Sequence, residues 1–406
     1  MTARADADRC PGVLRPHHAA DGAVLRIRIP GGRITAEALR ALGAASGRYA
    51  DGEIQLTSRA NLQLRGVRTN DDGSVAAGLV SALSAAGLLP HPTHERVRNI
   101  VCSPLTGLVG GLADVRPLVG LLDAALCAAP DLAVLPGPFL FALDDGRGDL
   151  DVARADLAAV ALDDRHLRVW AGGRPGPVVP IAGAACTLVD LARRFLAVAA
   201  AITDRPVWHV RELPERGAEL LDGAGGVAAA PVGGPVPLGV LAQDDGAVTV
   251  SALVPLGRLT APQVSSLAVA AKAGAGELIV TPWRGVLVPD LPAGSPATEE
   301  LTGTGLVVDR GSPWSGLSAC PGSPRCSRGA GDTDELARRV AAAPSRGRSI
   351  PVHVVACGRA CGRPAGRHVL VTMDRQSVEI RCGDVAAAES LAGAADAIGR
   401  ARVEVQ

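Results

Sequence analysis

The sequence predicts an α+β protein made of two related halves, each a ferredoxin-like βαββα unit followed by a mixed α/β domain. Three observations support this fold class: a segment of the first half recurs in the second, the apolar pattern of each copy gives the order βαββα, and two tight cysteine pairs stand near the C-terminus. At 406 residues the chain is long enough for several domains.

The internal repeat relates the start of the chain to a segment past its middle. The first copy reads Asp21-Gly-Ala-Val-Leu-Arg-Ile-Arg-Ile-Pro-Gly-Gly-Arg-Ile-Thr-Ala36, and the second reads Asp245-Gly-Ala-Val-Thr-Val-Ser-Ala-Leu-Val-Pro-Leu-Gly-Arg-Leu-Thr-Ala261 with one inserted residue. The match resumes at Gly52-Glu-Ile-Gln-Leu-Thr57 and Gly276-Glu-Leu-Ile-Val-Thr281, an offset of 224 residues (276 minus 52). So long an offset indicates duplication of a whole half, not a short solenoid repeat.

Each element of the first copy follows from its local pattern. Apolar and polar residues alternate in the first strand, Thr35 is a helix N-cap ahead of helical spacing, and two short β-type runs precede a second amphipathic helix. The predicted elements are a strand over Val24–Ile29, a helix over Ala36–Ala45, strands over Ile54–Leu56 and Leu62–Val67, and a helix over about Val75–Leu88.

Changes in composition mark the predicted domain boundaries. Leu213–Pro237 is rich in Gly, Ala and Pro without a period, which is typical of a linker, and Pro289–Pro296 is a second interrupted stretch. The predicted domains are ferredoxin-like half-domains at 1–88 and 238–296, mixed α/β domains at 89–212 and 297–406, and a linker at 213–237.

The last domain has local signals of its own. Asp332 or Thr333 is predicted to cap a helix that runs to about Ala343. Val352–Val355 has the pattern of a strand. Asp384–Arg400 is predicted to form a final alanine-rich helix.

The composition excludes several classes of protein. The formal net charge is zero, from 41 basic and 41 acidic residues, so the chain lacks the overall positive charge of nucleic-acid-binding proteins. No apolar run is long enough to cross a bilayer, and Met1 to Cys10 lack an apolar targeting core. We therefore expect a cytoplasmic protein that binds neither nucleic acid nor membrane and meets any anionic ligand with a local cluster of charge.

Two cysteine pairs indicate an iron–sulfur cluster. They are Cys320-Pro-Gly-Ser-Pro-Arg-Cys326 and Cys357-Gly-Arg-Ala-Cys361. Four thiolates are the usual ligands of a [4Fe-4S] cluster, and Gly and Pro allow the tight turns that wrap one. Zinc is an alternative, although its pairs are usually more closely spaced. Disulfides are a further alternative that the odd, sparse set of nine cysteines disfavours.

A second group of candidate residues is rich in guanidinium and amide side chains. Four of them occupy every second position, which places them on one face of an extended strand. Such groups can bind several carboxylates at once, but the pattern also fits the solvated face of an edge strand. The residues are Arg59, Asn61, Gln63 and Arg65, followed further along the chain by the pair Arg98 and Asn99.

These features together resemble the sulfite and nitrite reductase hemoproteins. The resemblance rests on the duplicated half, the Thr-x-Arg-x-Asn-x-Gln strand at Thr57–Gln63, the Arg-Asn pair ahead of an apolar run that ends in Cys102-Ser-Pro104, and the Cys-x5-Cys and Cys-x3-Cys pairs. It covers nearly the whole chain. It implies mixed α/β domains of the nitrite/sulfite reductase type and a siroheme placed against a [4Fe-4S] cluster.

The resemblance also implies roles for individual residues. The cluster ligands would be Cys320, Cys326, Cys357 and Cys361, the fourth of which would bridge to the siroheme iron. The residues that would line the tetrapyrrole and the anion pocket are Arg59, Asn61, Gln63, Arg65, Arg98 and Asn99.

One departure from the family pattern bears on the activity. Where the reductases carry two lysines in a Leu-Pro-Arg-Lys-Phe-Lys pattern, this chain reads Leu135-Pro-Gly-Pro-Phe-Leu-Phe141, with Pro138 and Leu140 at the lysine positions. The loss of two cations removes both charge and proton supply for the reduction of an oxyanion. The chain is therefore similar to the branch of the family that takes a siroheme-like molecule as its substrate, the precorrin-3B synthases.

This closer resemblance implies an oxidoreductase of the monooxygenase type in aerobic cobalamin biosynthesis. Its substrates would be precorrin-3A and O2, one oxygen atom would enter at a meso carbon, and the ring A acetate would close a γ-lactone. An external NAD(P)H-linked donor would supply electrons through the [4Fe-4S] cluster to a mononuclear non-heme iron.

The ligands of that iron do not follow from the sequence. Non-heme iron favours two histidines and a carboxylate, and His91-Pro-Thr-His94 is the nearest histidine pair, although a pair in a loop is often only solvated. Two alternatives for the whole chain stay open. One is a siroheme-dependent sulfite or nitrite reductase, and the other is a non-catalytic iron–sulfur carrier or zinc-stabilised scaffold.

Overall fold

The computed structural model describes residues 8–221, 233–343, 350–364, 366–383 and 385–403. The first ferredoxin-like unit has the predicted strands at Ile54–Leu56 and Leu62–Val67, and Thr35 caps its first helix because the threonine hydroxyl oxygen accepts a hydrogen bond from the Ala38 amide at 3.1 Å. That helix ends four residues later than predicted. Its elements are β1 (His17–Ala19), β2 (Gly22–Ile27), β3 (Arg33–Thr35), α1 (Ala36–Tyr49), β4 (Ile54–Leu56), β5 (Leu62–Val67) and α2 (Ala77–Ala85).

The second unit is a mixed α/β domain whose sheet lies against two helices. Phe139, Phe141 and Phe195 pack together in its core, with ring centroids 4.9 to 5.2 Å apart. Its elements are β6 (Ile100–Cys102), α3 (Arg116–Cys127), β7 (Phe141–Asp144), β8 (Leu157–Ala161), β9 (His166–Ala171), β10 (Arg174–Pro180) and α4 (Ile181–Ala200).

The third and fourth units repeat the first and second. The third contains β11 (Gly239–Ala242), β12 (Val248–Leu253), β13 (Arg258–Leu259), α5 (Ala261–Lys272), β14 (Glu277–Val280), β15 (Gly285–Leu291) and α6 (Ala297–Gly303). The fourth contains β16 (Leu317–Ala319), α7 (Thr333–Ala342), β17 (Val352–Val355), β18 (Val369–Met373), β19 (Ser377–Cys382), β20 (Val385–Ser390) and α8 (Ala394–Arg402).

The two ferredoxin-like sheets exchange one strand each. Their strand orders are β1-β2-β5-β4-β13 and β11-β12-β15-β14-β3, so the third strand of each copy completes the sheet of the other. Helices α1 and α5 pack against each other, and Gly43 allows this because a Cβ there would lie 2.9 Å from Val264. Both copies therefore share one apolar core.

The two mixed α/β sheets also correspond strand for strand. Their orders are β10-β9-β8-β7-β6 and β16-β17-β18-β19-β20, and in each the first three strands along the chain are parallel while the last two are antiparallel. The duplication thus spans both units of each half, as the predicted fold class requires.

Some predicted elements differ in the structure. The predicted helix over Asp384–Arg400 is wrong, because Val385–Ser390 pairs with β19 as a strand and only α8 is helical. Tertiary pairing there overrides the helix propensity of alanine. Pro289 lies inside β15. Leu213, Leu220 and Leu221 are buried in the core of the second unit, and 222–232 of the predicted linker lie outside the described residues.

No helix of the described chain is both long enough and apolar enough to span a membrane.

Candidate active site

One face of the first ferredoxin-like sheet carries polar side chains. Strand β5 lies between β2 and β4, so the alternative of a solvated edge strand is wrong. Gln63 stands opposite Arg26 and Gln55 on the two neighbouring strands. Its side-chain oxygen accepts a hydrogen bond from Arg26 Nη2 at 3.1 Å, and its Nε2 donates to Gln55 Oε1 at 3.0 Å. The face is therefore a connected, half-buried polar surface.

Arg59 lies in the turn before β5 and not on the strand itself. The Ala60 amide donates to the Thr57 carbonyl at 3.1 Å, and Ala60 has a left-handed φ of 53°. From this turn Arg59 reaches the segment 136–140, where its Nη1 donates to the Pro138 carbonyl at 2.7 Å. Burial lowers the pKa of Arg59.

Asn99 is the centre of a buried hydrogen-bond network. Its Oδ1 accepts from Asn61 Nδ2 at 3.0 Å and from Arg28 Nε at 3.2 Å. Its Nδ2 donates to the carbonyls of Gly137 at 2.7 Å and Phe139 at 3.2 Å. Asn61 and Asn99, both predicted to line the tetrapyrrole, lie together, but their side-chain amides form hydrogen bonds within the protein. In this structure they position Arg28 and the segment 136–140.

The N-terminal segment closes a basic cavity against this face. The Nε atoms of Arg96, which lines the cavity, and of Arg26 on β2 are buried without a hydrogen-bond partner in the described part of the chain. Burial and the positive charges of Arg9 and Arg65 lower the pKa of His17. Buried N–H donors without a partner, surrounded by positive charge, favour the binding of an anion. The cavity has a volume of about 420 Å³ and is lined by Asp8, Arg9, Cys10, Arg15, Pro16, His17, His18 and Arg96.

Arg65 joins the polar face to the first cysteine loop. Its Nε and Nη2 bind the two carboxylate oxygens of Asp21 at 3.0 and 2.9 Å. Its Nη2 also donates to the carbonyl of Arg325 at 2.9 Å. Since Arg325 stands between Cys320 and Cys326, the polar face and the cysteines meet directly.

The four cysteines lie at one end of the last sheet. Cys320 follows β16 and Cys357 follows β17, and these strands are parallel neighbours, so both loops leave the same edge. All four are free thiols. Burial raises the pKa of Cys320, and the neighbouring thiols of Cys357 and Cys361 add to the rise. This donor set fits a [4Fe-4S] cluster.

The thiols do not yet converge on one point. Nowhere in the described residues do three or more His, Cys, Asp or Glu side chains stand together as ligands of one metal ion. Binding a cluster therefore requires the two loops to draw together. Both contain glycines with positive φ, Gly322 at 60° and Gly362 at 84°, which tolerate the tight turns involved.

Arg98, another predicted anion ligand, is paired inside the protein. Its Nε and Nη2 bind the two oxygens of Asp123 at 2.7 and 2.6 Å. Asp123 lies on α3 and is itself partly exposed. A ligand carboxylate would have to compete with this bidentate pair.

The segment 136–140 presents apolar side chains and fixed backbone groups. The Leu140 amide donates to Asp156 Oδ2 at 2.9 Å. Asp156 also accepts from the Val210 amide at 2.9 Å and binds His209 Nδ1 at 3.1 Å. The positive charges beside the segment belong to Arg59 and Arg28, which bind its carbonyl oxygens.

The predicted iron ligands His91 and His94 do not form a pair. His91 is exposed, whereas His94 is 3% exposed. Both ring nitrogens of His94 are engaged, Nε2 with the Ala129 carbonyl at 3.0 Å and Nδ1 with the Thr93 hydroxyl at 2.9 Å. These two residues do not fit a mononuclear iron site.

Comparison with known proteins shows which family the chain belongs to. The model of the nitrite/sulfite reductase ferredoxin-like half domain matches residues 15–82 and 241–295, the two interlocked units. A ferredoxin–nitrite reductase of Synechococcus elongatus is 30% identical over 84% of this chain and 74% of that protein. The chain belongs to the nitrite/sulfite reductase family.

Further comparisons bear on fold and on branch. A solved structure of the Mycobacterium tuberculosis NirA protein superimposes with a TM-score of 0.73 over 93% of this chain and 80% of that one, and at 19% identity it supports the fold alone. A precorrin-3B synthase of Sinorhizobium is 26% identical over 87% of this chain and 78% of that protein. The family's enzymes are mostly oxidoreductases, and they typically bind a [4Fe-4S] cluster and siroheme.

Sequence reasoning missed two arginines and the acid that anchors the N-terminal segment. Arg26 on β2 and Arg28 just after it alternate with apolar residues, the same signal that identified Gln63 on β5. Glu95 accepts hydrogen bonds from the amides of Val13 at 2.5 Å and Leu14 at 3.0 Å, and burial raises its pKa. No local pattern signals a contact between residues 82 positions apart.

Proposed function

We propose that this chain is a precorrin-3B synthase. It binds precorrin-3A on the basic face of the first ferredoxin-like sheet, beside a [4Fe-4S] cluster held by Cys320, Cys326, Cys357 and Cys361. With O2 and electrons from an external NAD(P)H-linked donor, it adds one oxygen atom to the macrocycle, and the ring A acetate closes a γ-lactone.

The contact between the polar face and the cysteine loop carries this proposal. Arg65 binds the backbone of Arg325 within the first cysteine pair, so a ligand on the face lies next to the cluster loop. The buried Nε donors of Arg26 and Arg96 suit the carboxylate arms of a tetrapyrrole. A cluster bound here supplies single electrons to the ligand beside it.

The absence of lysine from the segment 136–140 favours a synthase over a reductase. Lys272 is the only lysine in the sequence, and it pairs with Glu37 on α1 at 3.2 Å. Pro138 and Leu140 stand where the resembled reductases carry lysines, and the Leu140 amide is committed to Asp156. No lysine is available to hold an oxyanion and feed protons to it.

The mononuclear iron expected for this activity has no fitting site at His91 and His94, and no step is assigned to it. The chain's own residues do three things in the proposed reaction. Arg26, Arg59 and Arg96, the last of which already pairs with Asp8, neutralise carboxylates. Asn99 fixes the segment 136–140, and the partly exposed Pro138 and Leu140 limit water at the ring.

The decisive experiment follows oxygen from gas to product. Anaerobically purified protein, given precorrin-3A, a reductant and 18O2, should form a lactone product one labelled oxygen heavier, and it should contain iron and acid-labile sulfide without tightly held siroheme. Arg59→Ala should weaken precorrin-3A binding by up to about 1.5 to 3 kcal/mol, the value of one charge-assisted contact. Arg310→Ala, which alters an exposed arginine between α6 and β16, should bind normally.

The cluster is tested separately from the substrate. Cys357→Ser should lose the brown colour and the labile sulfide, whereas Cys186→Ser, which alters an exposed cysteine on α4, should keep both. Stoichiometric zinc without sulfide would exclude the cluster. Turnover of nitrite or sulfite without O2 would return the chain to the siroheme-dependent reductases, the alternative that the 30% identical relative favours.

A further inference from the structure

The turn that carries Arg59 is built a second time in the other half. In the first copy the amides of Ala60 and Asn61 bind the carbonyl and hydroxyl of Thr57, each at 3.1 Å. In the second copy the amides of Arg284 and Gly285 bind the carbonyl and hydroxyl of Thr281, each again at 3.1 Å. Arg284 therefore occupies the position of Ala60.

Arg284 keeps the left-handed backbone of that position. Its φ is 61°, against 53° for Ala60. A residue with a long side chain at positive φ is strained, and such strain persists only where the surroundings enforce it and is most common at functional sites. In the first copy the small Ala60 contacts Gly32, whereas in the second the Arg284 side chain fills this space against Gly257.

The Arg284 guanidinium ends beside the second cysteine loop. A Cβ on Gly362 would lie 3.2 Å from Arg284 Nη2, and Gly362 directly follows Cys361. The backbone there is anchored by His353, whose Nε2 binds the Cys361 carbonyl at 3.1 Å and whose Nδ1 binds the Ser318 hydroxyl at 2.9 Å.

Arg284 is a half-buried cation without an anion. Among the described residues it makes no hydrogen bond or ion pair through its side chain, and burial together with the positive charge of Arg258 lowers its pKa. The other arginines of the cysteine loops are either paired with an acid or exposed to solvent. Arg325 is paired with Asp334 at 2.9 Å, and the other arginines are exposed, where water screens their charge. The exposed ones are Arg328, Arg359 and Arg363.

We propose that Arg284 is a positioning residue for electron transfer, which holds a positive charge against the [4Fe-4S] cluster and raises its reduction potential. The inference rests on the proposed cluster but not on the identity of the tetrapyrrole. Reduction adds one negative charge to a centre that is already negative through its thiolates, so a fixed cation with little water around it stabilises the reduced form more than the oxidised form.

The test is a redox titration of purified, cluster-loaded protein followed by EPR and visible absorption. Arg284→Gln should shift the cluster midpoint to a more negative potential by at least about 59 mV. For a one-electron reduction this shift is a tenfold change in the equilibrium constant between the oxidised and reduced forms. Arg284→Lys, which keeps the charge, should recover most of the shift. Arg338→Gln, which alters an exposed arginine on α7 in the unit that carries the cysteines, should titrate as the unchanged protein does.

Each outcome distinguishes this inference from the proposed function. A protein without iron and labile sulfide would refute the cluster itself. An Arg284→Gln variant that binds the cluster normally and has an unchanged midpoint potential would overturn this inference and leave the proposed function standing. A variant whose only defect is weaker binding of the tetrapyrrole would also overturn it, because Arg284 would then be a substrate ligand. If the Arg284→Gln variant fails to bind the cluster, the midpoint potentials of Arg284→Lys and Arg284→Met are compared instead. Equal midpoints in these two variants would overturn the inference, because the charge at position 284 would then have no effect on the cluster.

Discussion

At the scale of single residues, burial changes the acid–base chemistry of Asp149. Burial and the charges of Asp144 and Asp145 raise the pKa of Asp149 from 3.8 to about 7, against the opposing effects of the Ser103 hydroxyl and Arg147. Its Oδ2 is buried and makes no hydrogen bond in the described chain. The folded protein therefore takes up a proton at Asp149 that the unfolded chain does not bind near pH 6.

This carboxyl predicts a pH-dependent stability. A raised pKa gives stabilisation that is complete below about pH 4 and is lost as pH rises through 7, and the difference between the two pKa values corresponds to about 4 kcal/mol at most. Asp149→Asn should thus be more stable than the unchanged protein at pH 8 but not at pH 4, by urea unfolding at both values. Asp151→Asn, an exposed neighbour, should follow the unchanged protein. Parallel pH curves for the Asp149 variant and the unchanged protein would contradict this reading.

The sequence could identify residues whose interaction partners lie close to them in the chain. Thr35 caps a helix and the cysteine pairs share short loops, so neighbouring residues carry the signal. Arg98 was predicted to line the anion pocket, yet its partner Asp123 lies 25 residues away on a helix, and nothing near Arg98 in the sequence indicates that pairing.

At the scale of elements, Asn99 ties a strand, a turn and the segment 136–140 together. Its removal would leave the buried Nε of Arg28 and Nδ2 of Asn61 without acceptors and free two carbonyls. An unsatisfied buried group costs about 1 to 3 kcal/mol, so we expect Asn99→Ala to lower the free energy of unfolding by about 2 to 4 kcal/mol and to weaken tetrapyrrole binding.

The matched control for Asn99→Ala is a substitution of Asn70, an asparagine in an exposed loop. Asn70 donates to the Ser74 hydroxyl at 2.9 Å in an exposed loop, where water can replace it. Asn70→Ala should change the free energy of unfolding by less than about 0.5 kcal/mol. Equal losses in the two variants, measured by denaturant titration, would mean that the network around Asn99 is no more than an ordinary surface contact.

The elements also mark where sequence reasoning ends. Strands β4 and β5 were found to the residue because their apolar runs are bounded by turns. The alanines of β20 were assigned to a helix because composition does not reveal the pairing partner β19. Strand exchange between the halves was not foreseen either, since β3 and β13 are only three and two residues long and carry no pattern of their own.

At the scale of the molecule, this exchange makes each half incomplete. β3 pairs with β14 and β13 pairs with β4, while Arg33 on β3 binds Glu277 on β14. One half alone would expose the surface along which α1 and α5 pack, where Val264 lies against Gly43, and would leave its ferredoxin-like sheet with an open edge. Burial of such side chains contributes about 1.5 to 3 kcal/mol each, which an isolated half cannot recover.

We therefore expect the two halves to fold only together. Residues 1–221 and 222–406, produced separately, should each bind a hydrophobic dye and unfold without a sharp transition, whereas mixing or co-expression should give a one-to-one complex with the cooperative unfolding of the intact chain. The physical reason is that the shared core and the exchanged strands form only when both copies are present. A monomeric first half that unfolds in one sharp transition and gains nothing from its partner would mean that the exchanged strands are dispensable. It would also mean that the polar face of this sheet is specified by the first half alone.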